Sequence, residues 1–339
     1  MTTPTQLDVR VEHVAWDDGD AAVLRTAQQA ELRARYGDDD IGHAMTGAEI
    51  LAMVLLRVDG VPVACGALRD ASGELGPGTG ELKRMYVRPD ARGRGLSRRV
   101  LAALEDAAAE RALDRLVLET GVLQPEAIGL YLAAGYRPIE NYGEYVGVVD
   151  SRCFAKQLRT AAVPPSTTPP RAGAPGHLPA GLGVERVAWD HPHASALRRA
   201  MVDELTPLYP EHALDGPDAL ERLDAEHGGS AVTTFLVRDD AGPVACATHR
   251  RAPAWGGDAA ELERLYVAPR ARGRGLARQL VALVEDDARR HGAARVVLDT
   301  GIRQPEAIAL YRALGYRPVA PPPGSWAALP VSLWFARDV

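Results

Sequence analysis

Two glycine- and arginine-rich segments of nearly the same sequence occur in this chain, 180 residues apart. One reads "RGRGLS" (residues 92–97) and the other reads "RGRGLA" (residues 272–277). Each follows a short apolar stretch and precedes apolar residues at helical spacing, so we predict a strand, a turn and a helix. That arrangement directs several backbone N–H groups and the positive end of a helix toward one point, where a phosphate group can bind.

The spacing of the glycines excludes two common nucleotide motifs. Neither segment reads GxGxxG, and neither contains the GKS or GKT of a nucleoside-triphosphate loop, so NAD and ATP are not favoured. Gly93 and Gly95 permit close backbone approach, and Arg92 and Arg94 are expected to add counter-charge. A turn that serves only tight packing remains the alternative for one copy, but the duplication favours a binding function.

The duplication extends over most of the chain. Residues 81–100 and 261–280 share 13 identities in 20, and residues 116–138 and 296–318 share 16 in 23. Between the halves, residues 160–183 contain six prolines without apolar periodicity, which is typical of an extended linker. We therefore predict an N-terminal domain at 1–159, a linker at 160–182 and a C-terminal domain at 183–339.

Each half is predicted to be an α/β (α+β) domain. In the first half the patterns indicate strands at 7–16, 51–58, 61–68, 81–87 and 115–120, with a final strand inside 145–158. Helices are indicated at 18–35, from residue 94 onward and at 125–134, where proline lies in the first turn. The order is strand, helix, three strands, helix, strand, helix, strand.

Composition sets the broad class. A formal net charge of −6 argues against a nucleic-acid partner, and no apolar run is long enough to span a bilayer. The three cysteines form neither a disulfide framework nor a metal motif, so we expect no metal and a reducing, cytoplasmic location. Cys153 is expected to be a core residue.

The two motif blocks together resemble the GNAT family of acetyl-CoA-dependent N-acetyltransferases. The residues that carry the resemblance are "RGRGLS" or "RGRGLA" and the later "LETG..Q.EAI.LY...GY" or "LDTG..Q.EAI.LY...GY". The family's pyrophosphate loop reads Q/R-x-x-G-x-G/A. The second copy fits this pattern, whereas the first copy differs at the last position, which is Ser97. The resemblance covers both halves and implies two tandem GNAT folds, each a mixed, mostly antiparallel sheet flanked by helices.

The resemblance also implies roles for particular residues. Backbone groups of one loop in each half are expected to hold the coenzyme A pyrophosphate: Arg92, Gly93, Arg94, Gly95, Leu96 and Ser97, and Arg272, Gly273, Arg274, Gly275, Leu276 and Ala277. The preceding strand is expected to bind the pantetheine arm and the thioester carbonyl through Met85, Tyr86 and Val87, and through Leu265, Tyr266 and Val267. Gln124 and Gln304 replace an asparagine that touches pantetheine in many relatives.

Catalytic candidates follow from the same resemblance. Glu81 and Glu261 resemble a general base, with Glu263 as a second candidate, and the alternative is a strand-end carboxylate paired with a nearby arginine. Tyr131 and Tyr311 match the family's acid tyrosine, which would protonate the leaving thiolate. Their alternative is an aromatic ring packed on the sheet.

The expected function is direct acetyl transfer from acetyl-CoA to a primary amine, without a metal and on a small-molecule acceptor. The alternatives are a protein lysine or amino-terminal acetyltransferase, and a non-catalytic acyl-CoA sensor in one or both halves. The halves diverge after Tyr36 and Tyr209 and again after the last helix, where the first has Tyr142 and Tyr145. We therefore expect different acceptors, or catalysis in one half alone. The high alanine and arginine content resembles that of proteins from high-GC bacteria.

Overall fold

The chain forms two compact units, each of which contains one sheet. The computed structural model describes residues 8–37, 45–158, 181–210, 228–322 and 331–339. The predicted linker at 160–182 lies almost wholly outside these ranges, as do most of the divergent segments after Tyr36 and Tyr209. The predicted domain boundaries therefore remain a prediction.

The first unit contains seven strands and four helices among its described residues. They are β1 (Val9–Val14), α1 (Gly19–Tyr36), β2 (Ile50–Val58), β3 (Val61–Asp70), α2 (Ser72–Leu75), β4 (Thr79–Val87), α3 (Leu96–Glu110), β5 (Arg115–Gly121), α4 (Pro125–Ala133), β6 (Arg137–Ile139) and β7 (Ser151–Gln157). The predicted order of strands and helices is confirmed. The sequence patterns missed the short α2 and β6, which are too brief to show a period.

The second unit repeats this order, except that a 3₁₀ turn at Pro253–Trp255 takes the place of α2. Its described elements are β8 (Gly183–Val187), α5 (Pro192–Leu205), β9 (Ala231–Asp239), β10 (Gly242–Arg251), β11 (Ala259–Val267), α6 (Leu276–Arg290), β12 (Arg295–Gly301), α7 (Pro305–Ala313), β13 (Arg317–Pro318) and β14 (Ser332–Asp338).

Both sheets are antiparallel except at one central pair. The strand order of the first sheet is β1-β2-β3-β4-β5-β7-β6. The second sheet has the equivalent order when it is read from the opposite edge: β13-β14-β12-β11-β10-β9-β8. Only β4 with β5, and β11 with β12, run parallel among the described strands. The predicted pair of mixed, mostly antiparallel folds is confirmed.

A helix covers each face of the first sheet. On one side, Ala21 and Leu24 of α1 pack against Met53, Leu55 and Cys65. On the other side, a Cβ at Gly66 would meet the side chains of Val100 and Leu104, so α3 packs close to β3 there. The apolar stripe predicted from the sequence is the buried face of α3: Leu96, Val100, Leu101, Leu104 and Ala108. No helix among the described residues is long and apolar enough to cross a membrane.

Candidate active site

A cleft opens in each sheet where the parallel strands cease to pair. The pairs between β4 and β5 end at Leu82 and Leu118, although β4 continues to Val87 and β5 to Gly121. In the second unit they end at Glu261 and Val297. The edges of these strands beyond the last pair are therefore available to a ligand, and the predicted pantetheine-binding residues lie on them: Met85, Tyr86, Val87, Leu265, Tyr266 and Val267.

In each unit a β-bulge lies between the last residue of the parallel pairing and these predicted pantetheine-binding residues. Cys65 pairs with Tyr86 but Ala67 pairs with Lys83, so β4 carries one extra residue. Arg84 has φ 56° there, and Arg264 has φ 54° at the same place in β11. A left-handed conformation costs a non-glycine residue about 1–2 kcal/mol, so its recurrence in both units indicates a functional constraint.

Buried side chains hold the bulges. The Cys65 thiol donates to the Arg84 carbonyl at 3.6 Å, and the Cys246 thiol donates to the Arg264 carbonyl at 3.6 Å. In the first unit Gln28 Nε2 of α1 also donates to the Met85 carbonyl at 3.0 Å. That carbonyl therefore already accepts one hydrogen bond within the protein, and its second lone pair is left for a ligand.

The glycine-rich loop brings an uncapped helix amino terminus to the end of each of these strands. Gly95 (φ 75°) caps α3 and Gly275 (φ 76°) caps α6, and neither helix has a side-chain hydrogen bond to its amino terminus. Added Cβ atoms at Gly93, Gly95, Gly273 and Gly275 would meet nothing within 4 Å. The space beside each glycine-rich loop is therefore open, as an anion site at a helix amino terminus requires.

Two of the loop arginines, Arg92 and Arg272, form ion pairs within the protein. We expected Arg92 and Arg94 to add counter-charge for a phosphate, and that expectation stays a prediction. Arg92 Nη2 pairs with Glu31 of α1 at 2.6 Å, and Arg92 Nε donates to the Val87 carbonyl at 3.0 Å. Arg272 makes the same contacts with Glu204 and Val267. Their charges are neutralised by carboxylates, so these side chains tie the loop to the first helix of each unit. Arg94 and Arg274 are exposed on the loop.

The predicted base Glu81 is enclosed. Its side chain is 0 % exposed and accepts from Arg69 Nε on one oxygen. Its other oxygen accepts from the Tyr142 hydroxyl at 2.9 Å and lies 3.0 Å from Lys83 Nζ. Lys83 also contacts the Tyr145 hydroxyl. The ion pair that the sequence left open as the alternative is therefore present, and it occupies both carboxylate oxygens.

Glu261 has a different electrostatic environment. Arg250 pairs with Glu261 at 2.7 Å and with Glu263 at 3.1 Å, so one cation serves two carboxylates. Burial, with the charge of Glu263, raises the pKa of Glu261 to about 8. Glu261 is therefore protonated more readily than an ordinary carboxylate, although Arg250 opposes the shift.

A second carboxylate lines each cleft, which the sequence analysis did not single out. Glu119 of β5 and Asp299 of β12 come one and two residues after the last parallel pair, and both are partly exposed. The Ser151 hydroxyl donates to Glu119 at 2.6 Å, and the Ser332 hydroxyl donates to Asp299 at 2.8 Å. Burial raises the pKa of Glu119 to about 7, opposed by Ser151 and Lys83. Burial and Glu263 raise the pKa of Asp299 to about 6.

The predicted acid tyrosines lie near these carboxylates. Tyr131 and Tyr311 are 5 % and 6 % exposed. Burial raises the pKa of both hydroxyls, and the next contributions come from the charges of Glu119 and Asp299. Each ring also packs edge-to-face on another tyrosine at 5.8 Å, so the packing alternative is observed as well. Both hydroxyls are protonated at neutral pH, as a proton donor must be.

The turn after β5 is joined to the end of α1. Tyr36 Oη accepts from the Leu123 N–H at 2.9 Å, and Tyr209 Oη accepts from the Arg303 N–H at 3.0 Å in the second unit. Gln124 and Gln304 begin the following helices, α4 and α7. The Gln124 side chain hydrogen-bonds to Tyr36, so its expected contact with pantetheine has a competitor within the protein.

Three features of the site escaped the sequence analysis. The carboxylate in "LETG" and "LDTG" recurs in both copies, and Glu31 and Glu204 both occur 15 residues after an equivalent tryptophan, so repeat comparison could have found them. The bulges at Arg84 and Arg264 carry no local signal, because arginine is not a residue typical of positive φ.

Comparison with known proteins decides the family. The model of the acetyltransferase (GNAT) family matches residues 16–136 and 198–316, which cover most of both units. The chain belongs to the acetyltransferase (GNAT) family. It is a tandem GNAT protein and a GNAT-type acetyltransferase, as the two loop motifs predicted.

Individual relatives resemble parts of the chain. An IAA acetyltransferase of Azospirillum brasilense is 41 % identical over 96 residues, which are 28 % of this chain and 60 % of that relative. The solved structure of yncA of Salmonella typhimurium with its cofactor acetyl-CoA is 16 % identical in sequence, with a TM-score of 0.36. The match covers 48 % of this chain and 100 % of that chain. A tandem GNAT protein from the clavulanic acid biosynthesis pathway is 13 % identical over 98 % of both chains, with a TM-score of 0.34.

Proposed function

We propose that both GNAT units bind acetyl-CoA and that the protein transfers the acetyl group directly to the primary amine of a small molecule. The observation that carries the proposal is the pair of glycine-capped helix amino termini, Gly95 and Gly275, each at the end of a strand that borders an open cleft.

The pyrophosphate of coenzyme A fits this place because it is a dianion. Backbone N–H groups of residues 92–97 and 272–277 supply donors, and the helix dipole adds partial positive charge without the need for a side chain. Since Arg92 and Arg272 are paired with Glu31 and Glu204, the proposal assigns the pyrophosphate to the backbone and to the exposed Arg94 and Arg274.

Attack on a thioester needs a neutral amine, because most amines are protonated at pH 7. We assign the base to Glu119 and Asp299 rather than to Glu81 and Glu261. Glu119 is partly exposed in the cleft with a pKa of about 7, whereas Glu81 is enclosed by its ion pairs. A base whose pKa is close to the working pH combines a useful deprotonated fraction with a useful affinity for the proton.

The remaining steps use groups on either side of that base. We assign the stabilisation of negative charge on the thioester oxygen to backbone N–H groups beyond the bulge, at residues 85–87 and 265–267. The carboxylate takes one proton from the ammonium form of the amine and releases it to solvent. Tyr131 or Tyr311 gives its proton to the coenzyme A thiolate as the C–S bond breaks, and the second proton lost by the acetylated nitrogen restores the tyrosine hydroxyl through solvent. A small acceptor is supported by the name of the Azospirillum relative.

The test is calorimetric titration of the whole chain with acetyl-CoA, followed by thiol-release assays on a panel of amines. Gly95→Ala and Gly275→Ala are the test variants, because alanine strains the loop and places a methyl group in the anion site. Gly135→Ala and Gly315→Ala are matched controls, since these glycines have similar φ (90° and 88°) but follow α4 and α7.

We expect two acetyl-CoA per chain, one lost with each loop variant and neither lost with the controls. A single site would identify one unit as the binding unit. Absence of acetyl-CoA binding in the unaltered chain would overturn the proposal, and binding without thiol release on any amine would favour the acyl-CoA sensor.

A further inference from the structure

A buried polar cluster distinguishes the second unit from the first. His249 of β10 and Asp287 of α6 are 1 % and 3 % exposed, and His291, directly after α6, is half exposed. Their ligand-type atoms all lie within 4.8 Å of one another. The cluster lies 12 residues after the helix cap Gly275, which is roughly 18 Å along α6, so it is separate from the proposed acetyl-CoA loop.

Asp287 presents its two oxygens to different partners. Oδ2 lies 2.9 Å from His249 Nε2 and 3.5 Å from His291 Nδ1. Oδ1 accepts from Arg186 Nη2 at 2.9 Å and from Arg186 Nε at 3.2 Å. One oxygen is thus oriented by an arginine, and the other faces two imidazoles, which matches a metal-binding carboxylate that an outer residue holds in place.

The spacing of these atoms suits a small transition-metal ion. Bonds of about 2.0–2.1 Å in a tetrahedral zinc site place the ligand atoms roughly 3.4 Å apart. The two separations from Asp287 Oδ2, 2.9 and 3.5 Å, bracket that value, and the two imidazole nitrogens lie within 4.8 Å of each other. Two imidazoles and one carboxylate leave a fourth position for water.

The first unit shows that the fold does not need polar groups at these places. By strand register and helix position, Leu68, Ala107 and Arg111 replace His249, Asp287 and His291. Leu68 and Ala107 are 0 % and 1 % exposed, so an apolar core suffices there. His249 Nδ1, moreover, is buried without a hydrogen-bond partner among the residues that the structure describes. Leucine, as in the first unit, would avoid the cost of that unsatisfied atom. A metal ion bound at Nε2 does not remove this cost, so the case for the metal rests on the arrangement of His249 Nε2, Asp287 and His291.

We propose that His249, Asp287 and His291 bind a divalent transition-metal ion of the zinc type, which links the carboxyl end of α6 to β10 in the second unit. His249 binds through Nε2 as a neutral imidazole, with its ring proton on Nδ1. His291 gives up the hydrogen bond between its Nδ1 and the Asp287 carbonyl (2.8 Å) to bind, and its half-exposed ring provides the path of entry.

The test uses the full chain, freed of metal with a chelator and titrated with Zn²⁺ in competition with a chromophoric indicator. Co²⁺ in place of Zn²⁺ reports ligand geometry through its visible absorption. The test variants are His249→Leu, which introduces the residue of the first unit, and His291→Ala. His193→Ala is the control, because it removes an exposed histidine from the same unit.

We expect one Zn²⁺ per chain, and dissociation constants at least about tenfold higher in both test variants but unchanged in the control. The Co²⁺ band should disappear with His249→Leu. If His249→Leu does not fold, as judged by circular dichroism, His291→Ala decides the matter because its side chain is half exposed. No stoichiometric binding, or binding indifferent to both substitutions, overturns the proposal and leaves an arginine–aspartate–histidine network. Acetyl-CoA binding need not change in either case.

Discussion

The chemistry of each cleft depends on which carboxylate is accessible. Glu81 and Glu119 lie on the two parallel strands of the same sheet, yet arginine, lysine and tyrosine enclose one while the other borders the opening. The second unit replaces Lys83 by Glu263, so its cleft contains more negative charge. The two clefts therefore differ at the point where an amine would approach.

Glu119→Gln should lower the acetylation rate of the first unit by about 10²–10⁴-fold, because a positioned base contributes that much. The measurement is kcat in a Gly275→Ala background, which isolates the first unit. The unaltered unit should show a rate that rises through pH 7, where Glu119 loses its proton, and the variant should lose that inflection. In the second unit Asp299→Asn should remove an inflection near pH 6.

Glu81→Gln is the matched control for that experiment. It removes the carboxylate charge that the sequence favoured but keeps an oxygen for Arg69. A large loss of kcat with Glu81→Gln and little loss with Glu119→Gln would identify Glu81 of β4 as the general base.

Glu119 should also make stability depend on pH. Its folded-state pKa of about 7 is above the ordinary value of about 4.3, so the folded chain holds a proton that the unfolded chain releases. Stability is then lost as pH rises from about 4 to about 7. We expect Glu119→Gln to raise the melting temperature relative to the unaltered chain at pH 8 but not at pH 4. Glu110→Gln on exposed α3 surface should show no such difference, and a parallel response of both variants would contradict the explanation.

At the scale of elements, the end of the first helix fixes the turn that begins α4. A Cβ at Gly121 would collide with the hydroxyl of Tyr36, and one at Gly301 would collide with that of Tyr209. Close approach is therefore needed at both positions, and it lets each tyrosine reach the backbone of the turn.

Gly121→Ala should destabilise the first unit by about 1–3 kcal/mol, because the added methyl group separates α1 from β5. Scanning calorimetry, which resolves separate transitions, measures the change. Gly19→Ala is the control, since a Cβ there meets nothing within 4 Å and alanine suits a helix. An unchanged melting temperature for Gly121→Ala would contradict this prediction, because it would show that α1 shifts without loss of stability.

Sequence patterns located most elements of the first unit to within a few residues. β2 and β3 were predicted at 51–58 and 61–68 and are found at Ile50–Val58 and Val61–Asp70, because the turn at Asp59 and Gly60 and the apolar runs are local signals. The helix expected from residue 94 begins at Leu96, since Gly95 adopts a left-handed conformation as its cap. The final strand is shorter than the predicted segment, and a short 3₁₀ turn at Gly143–Tyr145 precedes it.

At the scale of the whole molecule, two GNAT units of the same topology differ in their clefts and in one buried cluster. We propose that residues 160–182 join two independently folded domains, because the two copies lie on either side of these 23 residues, six of which are prolines. Brief digestion with a protease of broad specificity should therefore cleave within 160–182 before any other place. Mass spectrometry of the products should give fragments near 1–159 and 183–339, each with its own melting transition. Cleavage first inside either sheet, or one shared transition, would contradict these boundaries.

The sequence alone determined the duplication, the order of elements, the family and the position of both loops, because these depend on residue type and local spacing. The tertiary structure decided what the charged residues do. Arg92 pairs with Glu31, Arg69 and Lys83 enclose Glu81, and Glu119 borders the cleft. His249 met Asp287, a residue 38 positions later. Most of these contacts join residues that are distant in the chain, so the partners, the burial and the pKa values of the charged groups follow only from how strands and helices pack.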